Sequence, residues 1–131
     1  MTRSTLHSLE TDYSSVTWVE SHSYKGARFA IRRVSLQQRI EIARRVRELT
    51  LQNEFLRNGD VSEQLDAVLG ELLAKRVYLE WGLADVQGFT IDGVAACPAL
   101  LIEKGPESLA EEIVAAVIRE FHLTDEERKN S

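Results

Sequence analysis

The sequence predicts an α+β domain that is mainly α-helical, and three patterns support this class. Residues 15–34 alternate apolar and polar side chains around a turn-like segment, which is typical of a β-hairpin. Residues 36–57 and 61–80 carry apolar side chains at intervals of three and four, which predicts two long amphipathic helices. Residues 98–122 contain two further helix starts. We therefore expect an N-terminal β-hairpin packed on a bundle of about three to four helices, with a small Asp-Gly hairpin between helices.

The N-terminal hairpin is predicted from two short segments. Residues 15–19 are rich in β-branched and aromatic side chains, residues 21–26 are turn-like, and alternation resumes over residues 27–34. In the second strand, the side chains expected on the buried face are Ala27, Phe29 and Ile31, with Arg28 and Arg32 on the other face. An isolated hairpin is only marginally stable in water, so its apolar face must pack on a helix.

The first long helix is predicted over residues 36–57. Ser35 and Gln38 have the spacing of a capping box at its start, and Asn58-Gly59 is a strong stop signal at its end. The apolar side chains that fall on one stripe of this helix are Leu36, Ile40, Ala43, Val46 and Leu49.

The second long helix is predicted to start after Asp60, which has Glu63 at the capping-box position, and to end at Trp81-Gly82. Its broad apolar face is formed by Val61, Leu65, Val68, Leu69, Leu72, Leu73 and Val77. Gly70 lies inside this helix and either permits a close helix contact or is a tolerated defect that costs about 1 kcal/mol relative to Ala. The short link between the two helices favours an antiparallel pair.

The next segment, residues 83–97, is predicted to be irregular except for a tiny hairpin around the Asp92-Gly93 turn. Residues 98–104 should form one short helix, because Pro98 stands near its start and Gly105 follows its end.

A last helix is predicted from Pro106 to about His122, and Glu107 in its first turn suits the positive end of the helix dipole. Residues 124–127 form a further capping box, which predicts a break before a short polar end. The side chains expected in its buried stripe are Leu109, Ile113, Ala116, Val117 and Phe121.

Length and composition favour one domain, with residues 1–13 as a flexible leader and residues 14–131 as the folded unit. The polar N-terminus lacks the apolar core of a secretory signal, and no apolar run is long enough to span a bilayer. Cys97 is the only cysteine, so an internal disulfide is impossible. These features favour a cytosolic, reducing compartment.

The charge is divided unevenly along the chain. Residues 1–59 hold 10 Lys and Arg against 6 Asp and Glu, whereas residues 60–131 hold 6 against 15. The halves therefore carry +4 and −9, which sum to the net charge of −5. Such a chain is suited to head-to-tail association or to partners of either sign. The alternative is that the charges simply solvate the helix faces.

Nothing in the sequence has the pattern of a catalytic, metal or cofactor site. The three histidines His7, His22 and His122 are scattered, with His122 expected beside the last carbonyls of its helix. Cys97 has no basic cluster beside it and is expected to be a buried or N-cap thiol. Asp85 and Asp92 flank a turn and are poorly placed as a catalytic pair. We expect a protein that is not an enzyme and needs no cofactor.

Surface aromatic and charged side chains provide candidate contacts for a partner. Trp18 and Tyr78 are suited to anchoring another protein, whereas Trp81 is expected to lie in the core. The partner-binding hypothesis includes Trp18, Arg32, Arg45, Glu48 and Tyr78. The arginine-rich run between Arg28 and Arg47 raises nucleic-acid binding as an alternative, but Glu41 and Glu48 interrupt it and the overall charge is negative.

From about residue 28 onward, the order of motifs resembles tail assembly chaperones of long-tailed bacteriophages and prophages. The motifs, which span about three-quarters of the chain, are Ala27-Arg28-Phe29-Ala30-Ile31-Arg32-Arg33-Val34-Ser35, Tyr78-Leu79-Glu80-Trp81-Gly82-Leu83, Gly88-Phe89-Thr90-Ile91-Asp92-Gly93, Gly105-Pro106-Glu107-Ser108-Leu109 and Glu127-Arg128-Lys129-Asn130-Ser131. Each motif is common on its own, and the resemblance depends on their order.

The resemblance implies a non-catalytic factor in the bacterial cytoplasm that binds the tape-measure protein and keeps it soluble while tail-tube subunits polymerise around it. Contact with the tail-tube subunit and self-association are further expectations. Two alternatives stay open at this stage: a structural tail or connector protein of the virion, and a small DNA-binding regulator.

Overall fold

A computed structural model of the chain describes the backbone of residues 10–56 and 61–129 and the side chains of residues 10–51 and 65–122. The fold is α+β and mainly helical, with an N-terminal β-hairpin packed against helices, as predicted. The expected stop at Asn58-Gly59, the cap at Asp60 and most of the predicted leader (residues 1–9) lie outside the described residues. No helix in the described parts of the chain combines the length and apolarity that a bilayer crossing requires.

The described elements follow one another in a mixed order. The strands are β1 (Val16–Glu20), β2 (Arg28–Arg32), β3 (Leu83–Gln87), β4 (Thr90–Ile91) and β5 (Val94–Ala95). The helices are α1 (Leu36–Leu56), α2 (Val61–Gly82), α3 (Pro98–Lys104) and α4 (Glu107–Lys129).

The larger sheet has the order β1-β2-β3, with both pairs antiparallel and β2 in the centre. The hairpin was predicted correctly, but β3 corrects the expectation that residues 83–97 are irregular outside the tiny turn. Leu83 and Val86 of β3 are buried and its register with β2 shifts between Ala30 and Ile31. A short segment of this kind becomes a strand because the open edge of β2 offers backbone hydrogen bonds, which propensity alone does not reveal.

The core lies where β2, the end of α2 and the first half of α4 meet. Phe29 and Ile31 project from β2 into a cluster with Leu83 and with the buried α4 stripe. That stripe was predicted correctly for Leu109, Ile113, Ala116 and Val117, and Phe121 is half-buried at its end. Burial of such side chains stabilises a fold by roughly 1.5–3 kcal/mol each.

Trp81 packs against this core, as expected from the sequence. Its indole Nε1 is buried and has no hydrogen-bond partner among the described residues. An orphaned donor of this kind costs about 1–3 kcal/mol, so the apolar part of the ring must more than offset it.

Gly82 joins α2 to β3 without a loop, because α2 ends at this residue and β3 begins at Leu83. A Cβ atom at Gly82 would lie 2.6 Å from Cγ1 of Val117. The glycine therefore lets α4 pack directly against the end of α2 and fixes the level at which the two helices meet.

The short elements near the C-terminal half follow their predicted chemistry. Asp92 (φ 53) and Gly93 (φ 79) both occupy the left-handed region that the turn between β4 and β5 requires. Cys97 is the N-cap residue of α3, although its thiol is exposed rather than buried, and Gly105 is the C-cap residue. Pro106 then precedes α4, which carries Glu107 in its first turn.

The predicted end of the last helix near His122 was wrong, because α4 continues through residues 124–127 to Lys129. The segment contains no Gly or Pro, and its Glu, Arg and Lys residues are good helix formers, so the capping-box sequence does not interrupt it. His122 is therefore not beside terminal carbonyls. It is exposed, and its ring meets the edge of the Phe121 ring at a centroid distance of 6.3 Å.

The apolar stripe predicted on the first long helix is only partly buried. Leu36 and Ile40 are 69% and 44% exposed, whereas Ile42, which was not assigned to the stripe, is 1% exposed. The reason is that α1 packs mainly on one neighbour, α2, along a narrow seam through Ile42, Val46 and Leu49. The ion pair between Arg45 and Glu80 (3.6 Å) joins the helices in the antiparallel sense that their short link favours.

A single carboxylate ties the hairpin to the helices. Oε1 of Glu112 accepts a hydrogen bond from the Ser21 hydroxyl (2.8 Å), and Oε2 accepts one from the backbone N–H of His22 (2.6 Å). Partial burial disfavours the charged form, but the N–H groups of His22 and Ser23 and the Ser21 hydroxyl outweigh it. The pKa of Glu112 is therefore lowered. The contact holds the β1–β2 turn against α4.

We expect Gly88→Ala to destabilise the protein strongly. Gly88 has φ +72, and a Cβ atom there would overlap the backbone carbonyl oxygen of Gly26. Gly93→Ala is the matched control, because Gly93 has φ +79 but open space around the added atom. The control should lose about 1–2 kcal/mol from backbone strain alone. Urea denaturation should show a larger loss for Gly88→Ala, and equal losses would contradict the close approach.

The lowered pKa of Glu112 gives the stability a specific dependence on pH. Relative to the ordinary value of 4.5, the ionised group stabilises the fold fully above about pH 4.5. This contribution is lost as the pH falls through the folded-state pKa. We expect Glu112→Gln to lower the free energy of unfolding by about 1–2 kcal/mol at neutral pH and to flatten its decline in acid. Urea titrations across this pH range measure the free energy of unfolding and its decline in acid. Glu103→Gln, at an exposed site on α3, should change neither quantity.

Candidate protein-binding site

Helix α2 is apolar on two sides, and only one of them is covered by the described parts of the fold. The side toward α1 carries small residues at intervals of three and four, namely Ala67, Gly70 and Ala74, and continues to the buried Val77. Small side chains let two helix backbones approach closely, which favours the first of the two explanations offered above for Gly70.

The other side of α2 carries four large aliphatic side chains in solvent. We call this set the α2 stripe: Leu65, Val68, Leu69 and Leu72, which are 65%, 52%, 53% and 46% exposed. All four belong to the broad apolar face that the sequence predicts for this helix, and this part of the face is exposed. Contiguous exposed apolar side chains of this kind commonly mark an interaction surface.

The α2 stripe is uncovered because α4 begins too late to reach it. The first turns of α4 lie level with the middle of α2, where Nζ of Lys75 and Oε1 of Glu111 form an ion pair of 2.8 Å. C-terminal to Lys75, Leu79 on the same side of α2 is 5% exposed and belongs to the core. The α2 stripe is therefore the outward continuation of a face that is buried farther along the helix.

A second apolar surface lies between α1, α2 and α4. We call it the α1 groove; it has a volume of about 300 Å³ and is lined by Ile42, Ala43, Val46, Arg47, Thr50, Leu51, Tyr78 and Phe121. Leu51 stands at its border and is 53% exposed. Grooves between helices are a common docking place for an amphipathic helix of a partner.

Two aromatic side chains contribute to the groove from different helices. Tyr78 of α2 is half-buried, and this burial raises the pKa of its hydroxyl group above the ordinary value of 10.0. Phe121 of α4 is held by Arg39, whose guanidinium carbon lies 4.3 Å from the ring centroid and whose Nη2 donates to the Phe121 carbonyl (3.2 Å). Arg39 thus fastens α4 to α1 at Phe121.

The charge beside the α1 groove is positive. Arg47 lines the groove, and Arg44, one turn before it on α1, is also exposed. A partner helix with an apolar stripe and neighbouring acidic side chains would match this combination of apolar lining and positive border.

The structure brings together only part of the predicted partner-binding set. Tyr78 lies in the α1 groove, but Arg45 is about 200° around α1 from Ala43 and pairs with Glu80 on another side. Glu48 is exposed on α1. Trp18 and Arg32 belong to the sheet, where Trp18 is 39% exposed and its ring is covered by the Arg28 guanidinium at 4.4 Å.

The sequence did not identify Arg47, Thr50 and Leu51 as site residues. Leu51 comes three helical turns after Ile40 and therefore continues the edge of the predicted apolar stripe, and this continuation was the available signal. Phe121 was assigned to the core stripe, and its contribution to the groove depends on how α4 crosses α1, which local sequence does not specify.

Much of the arginine-rich run makes contacts within the fold. Besides Arg28, Arg39 and Arg45, Arg33 donates to the Thr17 hydroxyl (2.9 Å) and lies 4.0 Å from Glu120. These contacts leave fewer guanidinium groups for phosphates and give the run a structural explanation.

The described residues provide no evident metal centre, since no group of three or more His, Cys, Asp or Glu side chains among them is arranged to hold an ion. His22 contributes its backbone N–H to Glu112, and Asp85 accepts a hydrogen bond from the Val86 N–H (2.8 Å). Asp92 serves the β4–β5 turn. His7 lies outside the described residues.

The chain has no match among the protein families, the curated proteins or the solved structures with which it was compared.

We expect Arg39→Ala to lower the free energy of unfolding by about 1–2 kcal/mol, because it removes both the ring contact and the hydrogen bond to Phe121. Amide hydrogen exchange should also become faster around Phe121. Arg44→Ala, at an exposed position five residues along α1, should stay within about 0.5 kcal/mol of the parent protein. If the two variants behave alike, Arg39 does not fasten α4 to α1.

Proposed function

We infer that the protein is a non-enzymatic assembly factor that binds an amphipathic helix of another polypeptide in the α1 groove. The observation that carries this inference is the apolar groove itself, which opens to solvent beside Leu51 and has aromatic side chains from two further helices. Aromatic side chains in a groove are typical anchor points for partner residues.

The positive border of the groove narrows the class of partner. A client helix would place large apolar side chains against Tyr78 and Phe121 and direct acidic side chains toward Arg47 and Arg44. The rim charges would accelerate association and select the orientation, while the apolar contacts would supply most of the affinity. This combination suits a factor that must release its client.

The ordered motifs identified in the sequence suggest what the client is. They resemble tail assembly chaperones, and the proposed client is therefore the tape-measure protein, a very long helical chain, with the tail-tube subunit as a possible later contact. Such a factor would act in the bacterial cytoplasm and would be absent from the finished particle. The exposed thiol of Cys97 fits a reducing compartment.

We expect Leu51→Glu to abolish binding of the tape-measure protein, because it puts a carboxylate at the apolar border of the groove without disturbing the core. Co-expression of the cognate tape-measure protein with the parent chain should keep it soluble, whereas the variant should leave it in the pellet. Leu36→Glu is the matched control, because Leu36 is 69% exposed at the start of the same helix and does not line the groove.

Three outcomes would contradict the proposal. The first is a pull-down in which the parent chain does not retain the tape-measure protein, and the second is Leu51→Glu binding as well as Leu36→Glu. The third is detection of the protein in purified particles at a fixed copy number by mass spectrometry, which would make it a structural tail or connector subunit instead.

A further inference from the structure

We propose that the α2 stripe is a self-association surface, on which a second copy of this chain docks its own α2 stripe in antiparallel orientation. The proposal concerns a different face from the α1 groove and does not depend on the identity of the client. It commits to a twofold, isologous interface in which each copy contributes the same residues.

The composition of α2 favours a second covered side. A helix that is apolar around most of its circumference is normally buried on all those sides. The side carrying Ala67 and Val77 is covered within the chain, but Leu65 and Leu69 are more than half exposed. Covering the second side removes these side chains from water, at roughly 25 cal/mol per Å² of apolar surface.

The same surface of α2 offers both a ridge and a cleft. A cleft of about 170 Å³ lies at the C-terminal end of the α2 stripe, between α2, α3 and α4, and its apolar lining includes Leu72, Leu79, Ile102 and Val114. In an antiparallel pair centred near residue 71, Leu65 of one copy lies at the level of residue 77 of the other, within the part of α2 that borders this cleft. The twofold axis repeats the insertion, so the patch is complementary to itself.

Charged side chains beside the α2 stripe favour the antiparallel orientation. Asp66 and Arg76 lie toward the same edge of the α2 stripe, about 80° apart around the helix. Asp66 is exposed. The Arg76 side chain is 56% exposed, and its contact with Glu80, at 4.0 Å, is a long one for an ion pair. Antiparallel docking brings Asp66 of each copy to the level of Arg76 in the other, which forms two opposite-charge pairs. Parallel docking would instead place like charges level with one another.

The size of the α2 stripe sets the expected affinity of the dimer. Residues 65–76 span about 17 Å of helix, which places the interface at the low end of the range for specific complexes. We therefore expect a reversible dimer whose population changes with concentration rather than an obligate one.

The test is sedimentation velocity of the full chain from low micromolar to millimolar concentration. The parent should change from monomer to dimer and no further. Leu69→Glu, close to the twofold axis, places two carboxylates opposite each other and should raise the dissociation constant at least about tenfold. Val94→Glu is the control, because Val94 is 59% exposed on β5, away from the stripe. Far-UV circular dichroism confirms that both variants are folded.

A charge exchange tests the orientation of the two copies. Asp66→Arg and Arg76→Asp should each raise the dissociation constant by roughly threefold or more, and the double variant should restore it, because each exchanged pair is again of opposite sign. Additive weakening in the double variant would exclude the antiparallel pairing.

The outcomes separate this proposal from the proposed function. A parent chain that stays monomeric at every concentration overturns it, as does a dimer that Leu69→Glu leaves intact. Leu51→Glu should dimerise normally while losing the tape-measure protein, so failure of one surface is distinguishable from failure of the other.

Discussion

The packing of α4 across the end of α2 determines the rest of the architecture. Val117 can lie directly against Gly82 because that residue has no side chain: a Cβ atom there would lie 2.6 Å from Cγ1 of Val117, and that side chain would have to shift. This contact fixes the level of α4, and the ion pair between Lys75 and Glu111 marks how far α4 extends along α2. The region of α2 that α4 covers belongs to the core, and the region beyond it carries the exposed stripe.

The same crossing creates both candidate surfaces. At one end of α4, its late start leaves Leu65 and Leu69 exposed and opens the cleft beside Val114. Toward its other end, Phe121 reaches α1 and forms the α1 groove together with Tyr78. A compact core formed by the sheet, α3 and half of α4 thus supports a helical pair that is longer than the core can cover. The part of α2 beyond the core carries the exposed α2 stripe.

The predictable part of the fold is the part controlled by local chemistry. The Ser35–Gln38 capping box is present with reciprocal hydrogen bonds of 3.2 Å, and the Asp92-Gly93 turn and the short α3 helix were predicted correctly. Each depends on residues close together in the chain. Strand β3 was missed because it exists only through pairing with β2, more than fifty residues earlier.

The candidate surfaces were less predictable for a related reason. Periodicity showed that α1 and α2 have apolar faces, but it cannot show which faces a tertiary neighbour covers. Leu65 and Leu72 have the same spacing as buried leucines, and only the starting point of α4 distinguishes them. Tyr78 was chosen as a partner contact and is half-buried in the α1 groove, whereas Leu51 and Arg47 are recognisable as groove residues only from the crossing of α4 over α1.

The order of the sheet has a consequence for how the chain folds during synthesis. β2 is the central strand, yet its second partner, β3, begins at residue 83 and the helix that covers it begins at residue 107. The turn after β1 is fastened only when residue 112 has been made. A chain emerging from the ribosome can therefore pair its two long helices early. The N-terminal strands complete their contacts with the rest of the fold only after most of the last quarter of the polypeptide has been made. Closure of these distant contacts is expected to be the slow step of folding.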